Sequence, residues 1–236
     1  MQLSYFSNYE ELSKRAARVV LEEIRVQPGM LLCAATGSSP SGLYAALAAE
    51  AQIRPELFRQ LRILKLDEWG GIPDHIPGSC EQYLRSRVLL PLQIPEDRYF
   101  SFSSNPPDPR AECERIRSIL HREGPIDLCI LGLGKNGHLG LNEPAEMLEP
   151  CCHVVHLSPE SLQHSMLAEM EIKPSYGLSL GMQEILSARK ILMLISGKGK
   201  AQVAKAFLDG KISTRLPASF LWAHPHVECL IDEAAL

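Results

Sequence analysis

The sequence predicts an α/β fold, a three-layer sandwich in which a mostly parallel sheet lies between two layers of helices. Apolar runs of strand length, rich in branched residues, recur along the chain, and segments with helical spacing of apolar positions alternate with them. Loops rich in glycine, hydroxyl or acidic residues follow three of those runs, as they do at the carboxyl ends of strands in open α/β sheets. That alternation implies parallel strands joined by helical crossovers, with both faces of the sheet covered.

Taken in order, residues 9–24 carry apolar positions at helical spacing with Glu10, Lys14 and Arg15 between them, and Gln27-Pro-Gly29 ends the helix. Residues 30–35 form a short buried strand, followed by Thr36-Gly-Ser-Ser-Pro-Ser-Gly42 and an alanine-rich helix through Glu50. Residues 62–66 are a second strand, leading into Asp67-Glu-Trp-Gly-Gly71 and then a helix near 80–90. A short strand at 98–102 and a helix at 108–122 precede the strand at 126–133. Beyond it lie the apolar stretch 153–157, a helix-like stretch at 159–170 and a connection at 173–177. A strand at 191–196, a helix at 198–208 and the closing apolar run 227–232 complete a Rossmann-like layout. No linker composition and no internal repeat interrupts the chain, so residues 1–236 read as one domain.

Composition narrows the classes of function. Hydrophobic residues at 45% and charged residues at 22% are ordinary soluble usage, which sets disorder aside. The longest apolar runs are too short to cross a bilayer, and the amino terminus lacks a basic start and an apolar signal core. These features lead us to expect a cytoplasmic protein that does not engage a membrane. The seven cysteines are scattered, mostly inside apolar segments, and none stands in a Cys-x-x-Cys spacing, so neither a disulfide framework nor a metal is expected. A net charge of −4 with no basic cluster argues against nucleic acid, so any attraction of an anionic substrate must be local.

The most informative segment is Gly132-Leu-Gly-Lys-Asn-Gly-His-Leu-Gly-Leu-Asn-Glu-Pro144, directly after the most strand-like run. His138 can exchange protons near neutral pH, and Glu143 can orient or polarise it. A histidine followed by an acid is common as plain structure. The density of glycine here, at 132, 134, 137 and 140, tips the balance toward a site, because the backbone can turn tightly and approach a ligand. Gly132, Gly134 and Gly137 match Gly-x-Gly-x-x-Gly, but no acidic residue follows at a strand end roughly 20 residues on, so a dinucleotide cofactor is not expected.

Two other loops bear on the same chemistry. Thr36, Gly37, Ser38 and Ser39 stand between a strand and a helix, where free backbone N–H groups and hydroxyls suit an anion such as phosphate. Ser38 or Ser39 would also serve as N-cap, with Pro40 at the first helical position. The loop lacks the lysine of a P-loop, which disfavours a nucleoside triphosphate. Asp67 and Glu68 follow the 62–66 strand, where a carboxylate shielded by Trp69 could have its pKa raised enough to take protons from carbon. Two acids after a strand more often mark a solvated turn, and only the company of the other loops favours the base.

Thr36-Gly-Ser-Ser-Pro, Leu66-Asp-Glu-Trp and the segment from Gly132 to Pro144, in this order, resemble the glucosamine-6-phosphate deaminase/isomerase family over nearly the whole chain. The related 6-phosphogluconolactonases typically lack the Asn142-Glu-Pro144 element. The Lys135-Asn136 pair and the region of Cys80 resemble most the galactosamine-6-phosphate isomerase or deaminase branch. The resemblance implies an enzyme without a cofactor that converts a hexosamine 6-phosphate, galactosamine 6-phosphate above all, to the ketose phosphate and ammonia. It implies that Asp67 shuttles a proton between sugar carbons C1 and C2, that His138 opens the ring with Glu143 in its network, and that Thr36 to Ser39 bind phosphate with Lys200.

Two departures from the family pattern stand out. Asn136 occupies the place of a usual aspartate beside the histidine; an amide can orient the ring but supplies no charge, which leaves Glu143 as the principal acidic partner. In the 153–170 segment, expected to move over the substrate, the resemblance implies a basic residue on the phosphate. This chain offers Gln163 and His164 as the lid candidates. The chain ends soon after Cys229, without the tail of allosteric hexamers, so simple kinetics are expected, and a homo-oligomer is left open. The alternatives are a sugar-phosphate lactonase and a sugar-phosphate sensor like the effector modules of bacterial regulators. The sensor is disfavoured by the lack of residues before Tyr9 for a DNA-binding segment.

Overall fold

The computed structural model describes residues 1–74, 76–157, 159–162, 165–167 and 170–236. β1 (Gln2–Phe6) leads to α1 (Tyr9–Val26), β2 (Leu31–Ala34), α2 (Ser38–Ile53), β3 (Arg62–Lys65) and β4 (Asp67–Gly70). Next come α3 (Cys80–Leu84), a π-helical turn (Arg85–Leu89), α4 (Leu90–Leu92), β5 (Tyr99–Phe100), α5 (Pro109–Glu123) and β6 (Leu128–Gly132). The chain closes with β7 (His153–Val155), α6 (Pro159–Leu162), β8 (Tyr176–Ser179), α7 (Met182–Leu186), β9 (Lys190–Ile195), α8 (Ala201–Leu208) and β10 (Val227–Asp232).

Seven strands form a sheet in the order β1-β10-β9-β6-β2-β3-β5, and every pair in it is parallel. Its central strands are apolar without alternation because both faces are covered. On β2, Leu31 and Cys33 join the core that holds Ile116 of α5 and Phe207 of α8, while Leu32 and Ala34 join the core that holds Val20 of α1 and Tyr44 of α2. These two cores lie between the sheet and the helices on its two faces, which gives the three predicted layers. Helix ends follow ordinary capping chemistry: Asn8 accepts from the Glu11 N–H at the start of α1, and Asp108 accepts from the N–H groups of Arg110 and Ala111 at α5.

A second, antiparallel sheet in the order β4-β8-β7 corrects the expectation of a turn at 67–71 and of a plain connection at 173–177. Asp67 pairs with Ser179 and Gly70 with Tyr176. Asp-Glu-Trp-Gly has turn-like composition, and the partner strand that makes it extended comes more than 100 residues later, out of reach of local propensity. Other boundaries shift as well. Gly197 and Gly199 adopt positive φ, at 88° and 84°, so α8 begins at Ala201 instead of 198. Within 159–170, the described residues form only α6 and a 3₁₀ turn at Ser165–Leu167. Gln2–Phe6 was not expected as a strand; it lies at the sheet edge with its side chains partly exposed, and its pairing with β10 carries it.

The two sheets are joined by a buried ion cluster. The Lys65 ammonium, fully shielded from water, donates to Glu68 and to Glu81, both at 2.7 Å. Glu68 also accepts from the backbone N–H groups of Trp69, Cys80 and Glu81, at 2.8–2.9 Å, which fixes the first turn of α3 against β4. Tyr99 of β5 donates to Glu81, and Arg85 pairs with its other oxygen. Burial works to lower the pKa of Lys65, but Glu68 and Glu81 outweigh it and hold the ammonium protonated. Replacing Lys65 with Met leaves two carboxylates together without a cation. The expected cost is about 3–5 kcal/mol, read as a lower urea midpoint; an unchanged midpoint would show that the cluster does not hold the sheets together.

Candidate active site

The loops after β9, β6, β2 and β3, four consecutive neighbours in the sheet, open at the same carboxyl edge and enclose a cavity of about 430 Å³. This volume is in the range of small-molecule sites. Thr36, Gly37, Ser38, Ser39, Asp67, Asn136, His138 and Lys200 all line it, so the three sequence motifs converge as expected. Glu143 stands behind His138 instead of on the wall. A wider, shallow depression of about 590 Å³ lies around the amino ends of β1, β9 and β10, but its charges are already spent on one another, as in Lys190 with Glu23 at 3.0 Å.

The anion loop is shaped by Gly37, whose φ of 101° is unfavourable for residues with a side chain. Gly37, not Ser38 or Ser39, caps α2, with no side-chain cap bond, and Pro40 sits in the third helical position. The correction matters chemically, because the hydroxyls of the loop are not committed as N-cap acceptors. Tyr83 donates to the Gly37 carbonyl at 2.7 Å, and Tyr9 donates to the Ser38 carbonyl at 2.6 Å, bracing the loop through its backbone. Lys200, from the loop after β9, reaches Ser39 Oγ at 3.3 Å, and Ser196 donates to the same oxygen. Burial, with the Lys135 ammonium adding to it, lowers the Lys200 pKa to about 8.

Asp67 opens β4 and is 8% exposed. Strand alternation separates it from Glu68: Asp67 lines the cavity while Glu68 turns into the ion cluster. Burial first, and then the charge of Glu68, raise the Asp67 pKa to about 7, against opposing effects of His138 and Lys65. Such a carboxyl is poised to take and return a proton near neutrality.

The His138 ring lies against Gly134, where an added Cβ would come within 2.4 Å of ring atoms. Only glycine leaves room for the imidazole in this position. Asn136 Oδ1 accepts from the His138 backbone N–H at 3.2 Å, and its Nδ2 donates to Glu143 at 2.6 Å. Glu143 Oε1 stands 3.4 Å from His138 Nδ1, longer than a tight N–H···O bond, and accepts a hydrogen bond from Ser161 of α6. Burial tends to raise the Glu143 pKa, but His138, Ser161 and Asn136 together hold it at about 2. Glu143 is therefore ionised across the working range, and the amide orients both partners without adding charge.

Sequence reasoning placed Trp69 here as a shield for Asp67 but missed three other wall residues. Trp69, Cys80, Lys135 and Ser161 also line the cavity, with Cys80 Sγ 3.4 Å from Thr36 Oγ1 and 3.9 Å from Asp67 Oδ1. Lys135 sat inside a motif and could have been singled out, whereas Cys80 and Ser161 carry no local signal. The lid candidates Gln163 and His164 lie outside the described residues. Among the described residues, no group of three or more His, Cys, Asp or Glu is arranged to hold a metal, and no helix is long and apolar enough to cross a membrane.

A carboxyl near pKa 7, an imidazole backed by an ionised glutamate, and a hydroxyl loop with Lys200 beside it bring proton-transfer groups and a place for an anion into one site. Residues 7–231 match the family described as glucosamine-6-phosphate isomerases/6-phosphogluconolactonase, and the chain belongs to that family. It is 43% identical over 230 residues to "Putative deaminase AgaI" of Escherichia coli K12, covering 98% of this chain and 91% of that one. It is 37% identical to the glucosamine-6-phosphate deaminase of Bacillus velezensis, covering 97% and 95%. The solved structure of a monomeric glucosamine-6-phosphate deaminase superposes with a TM-score of 0.94 at 36% identity, covering 100% and 98% of the two chains. The 6-phosphogluconolactonase of Trypanosoma brucei, at 24% identity and a TM-score of 0.77, covering 99% and 97%, shares the fold. The relatives support a hexosamine-6-phosphate deaminase over a lactonase.

The raised pKa of Asp67 has a consequence for stability. The folded state holds this proton more tightly than the unfolded chain, so the contribution is favourable at low pH and is lost as pH rises through about 7. Asp67→Asn removes a cost on the order of 4 kcal/mol at full ionisation. Thermal melts should show the variant stabilised at pH 8 and little changed at pH 4. Equal melting shifts at both values would mean that Asp67 titrates like an ordinary carboxylate.

Proposed function

We propose that this chain, acting as one domain over residues 1–236, converts a hexosamine 6-phosphate and water to the ketohexose 6-phosphate and ammonia, with galactosamine 6-phosphate as the preferred sugar. The observation that carries the reading is the single cavity shared by Asp67, His138 and the Thr36–Ser39 loop with Lys200. Phosphate held at the loop places the sugar carbons toward Asp67 and His138. His138 takes the proton of the C1 hydroxyl and returns one to the ring oxygen, which opens the ring; Glu143 stabilises the imidazolium formed in between. Asp67 then removes the proton from C2 of the open aldose and delivers it to C1, while the aldehyde oxygen takes up a proton and the 2-amino group gives one up. The resulting C2 imine adds water, and collapse of that adduct expels ammonia and leaves the ketone.

The higher identity to a putative deaminase not named for glucosamine, 43%, than to a deaminase named for glucosamine, 37%, leaves the sugar open to a second hexosamine, and the choice of the galacto sugar rests on the resemblance carried by Lys135-Asn136 and the Cys80 region. The lactonase reading needs only the histidine and the phosphate loop, and gives no use for a carboxyl poised near 7.

Ammonia release from galactosamine 6-phosphate and glucosamine 6-phosphate tests the proposal directly. Asp67→Asn should lower kcat by roughly 10²–10⁴-fold and stop deuterium uptake from solvent at C1 and C2. Because the base must be ionised, kcat/KM of the natural chain should fall roughly tenfold for each pH unit below about 7. Lactone turnover without ammonia from either sugar would sink this reading.

Asn136→Asp probes the neighbouring amide. An added carboxylate beside Glu143 supplies a second charge to an imidazolium, so both kcat and the pH profile should move. If neither changes, the amide has no electrostatic part in ring opening.

A further inference from the structure

We propose that Lys135 is a second phosphate-holding cation, which grips a phosphate dianion from the glycine-rich loop opposite Lys200 and the Thr36–Ser39 amides. The inference deepens the proposed sugar-phosphate reading and rests on it for the identity of the full substrate, while its anion chemistry stands on the cavity alone. Lys135 lines the same space as Thr36, Gly37, Ser38, Ser39 and Lys200. It is carried by the loop after β6, and Lys200 by the loop after β9. These strands are hydrogen-bonded neighbours in fixed register, with Gly132 opposite Leu194.

The turn that presents Lys135 is tied on both sides. Gly134 N–H donates to the His138 carbonyl at 3.1 Å, and Gly137 N–H donates to the Gly134 carbonyl at 3.0 Å. Both ammonium groups therefore come from well-defined backbone positions at the carboxyl edge of the sheet.

Charge balance points to an anion between them. Among the described residues neither lysine forms an ion pair, whereas the buried Lys65 has two carboxylates within 2.7 Å. The acids at and around the cavity have other partners: Asp67, on its wall, faces Cys80 and His138, Glu143 is held by His138, Asn136 and Ser161, and Glu68 by Lys65. The mutual repulsion of the two ammonium groups is visible in the depressed pKa of Lys200, to which Lys135 contributes after burial. A buried Lys200 beside a second cation, with no carboxylate paired to either, gains when a dianion arrives. A phosphate monoester supplies two negative charges and three acceptor oxygens, enough for both lysines and the loop amides.

The same arrangement accounts for a feature of the sequence. Residues 153–170, where the family pattern has a basic phosphate contact, contain no lysine or arginine. With Lys135 in place, that cation comes from the body of the molecule.

The test measures inorganic phosphate binding by titration calorimetry in the full chain, alongside KM and kcat for galactosamine and glucosamine 6-phosphates. Lys135→Gln should weaken phosphate about tenfold, consistent with one charge-assisted hydrogen bond, and raise KM to the same degree with kcat kept within about twofold. Lys135→Arg should restore both. Lys205→Gln, at an exposed position of α8, is the control for overall charge. Unchanged phosphate binding in Lys135→Gln overturns the proposal, and so does an equal loss in Lys205→Gln. Phosphate binding that depends on Lys135 in a chain that releases no ammonia would support the anion site and overturn the deaminase reading instead.

Discussion

Lys65 is a full positive charge with no access to water, and its neutralisation dictates much of the local architecture. An ammonium in this position is tolerated only with carboxylates held close in good geometry. Glu68 and Glu81 must therefore come to it from β4 and α3, and Tyr99 completes the set from β5. Once Glu68 is committed to that cluster, strand alternation leaves Asp67 with the opposite direction, toward the cavity. The cluster thus aims the catalytic candidate without touching it. It also contributes to its chemistry, because the charge of Glu68 helps to keep a proton on Asp67 while Lys65 only partly compensates.

The two carboxyls in and behind the cavity are driven in opposite directions. Asp67, buried and facing another acid, rises to about 7, whereas Glu143, surrounded by donors, falls to about 2. Such a divergence assigns different work to chemically similar groups. A proton can pass on and off Asp67 at neutral pH; Glu143 remains a fixed negative charge. The polar groups around Glu143 come from the glycine-rich loop and from α6, so the position of α6 is linked to the histidine through Ser161. Movement of that short helix would remove a donor from the glutamate and alter its grip on His138.

Much of this could be read from the residues in order. The parallel sheet was legible because its buried strands are continuous apolar runs bounded by turn residues, and the convergence of three loops followed from their places after strands. What escaped was non-local. The β4–β8 pairing joins residues more than 100 apart, and Asp-Glu-Trp-Gly has no strand signature of its own. Cys80 reaches the cavity because Glu68 holds its backbone N–H, an interaction between an acid and a helix start that no spacing announces. The cap of α2 was misplaced by one or two residues because Ser is the better N-cap by propensity, while the positive φ at Gly37 decided the matter in the fold.

The fold alone does not select the reaction. A lactonase of 24% identity superposes over nearly the whole chain, so the fold is shared with a protein named for a chemistry other than the one proposed here. What separates them physically is the proton at carbon. Opening a lactone requires water activated at a carbonyl, and a histidine backed by an acid suffices for that. Moving a hydrogen between C1 and C2 requires a second base, shielded enough to hold a proton at neutral pH and placed on the same face of the sugar as both carbons. Asp67 meets the first requirement through burial and the charge of Glu68, and its place in the cavity beside His138 is what the second demands. The buried ion cluster is therefore tied to the proposed activity as well as to stability. A lactonase would have no need for the divided roles of Asp67 and Glu68, whereas an isomerase that lost the cluster would lose the setting of its base.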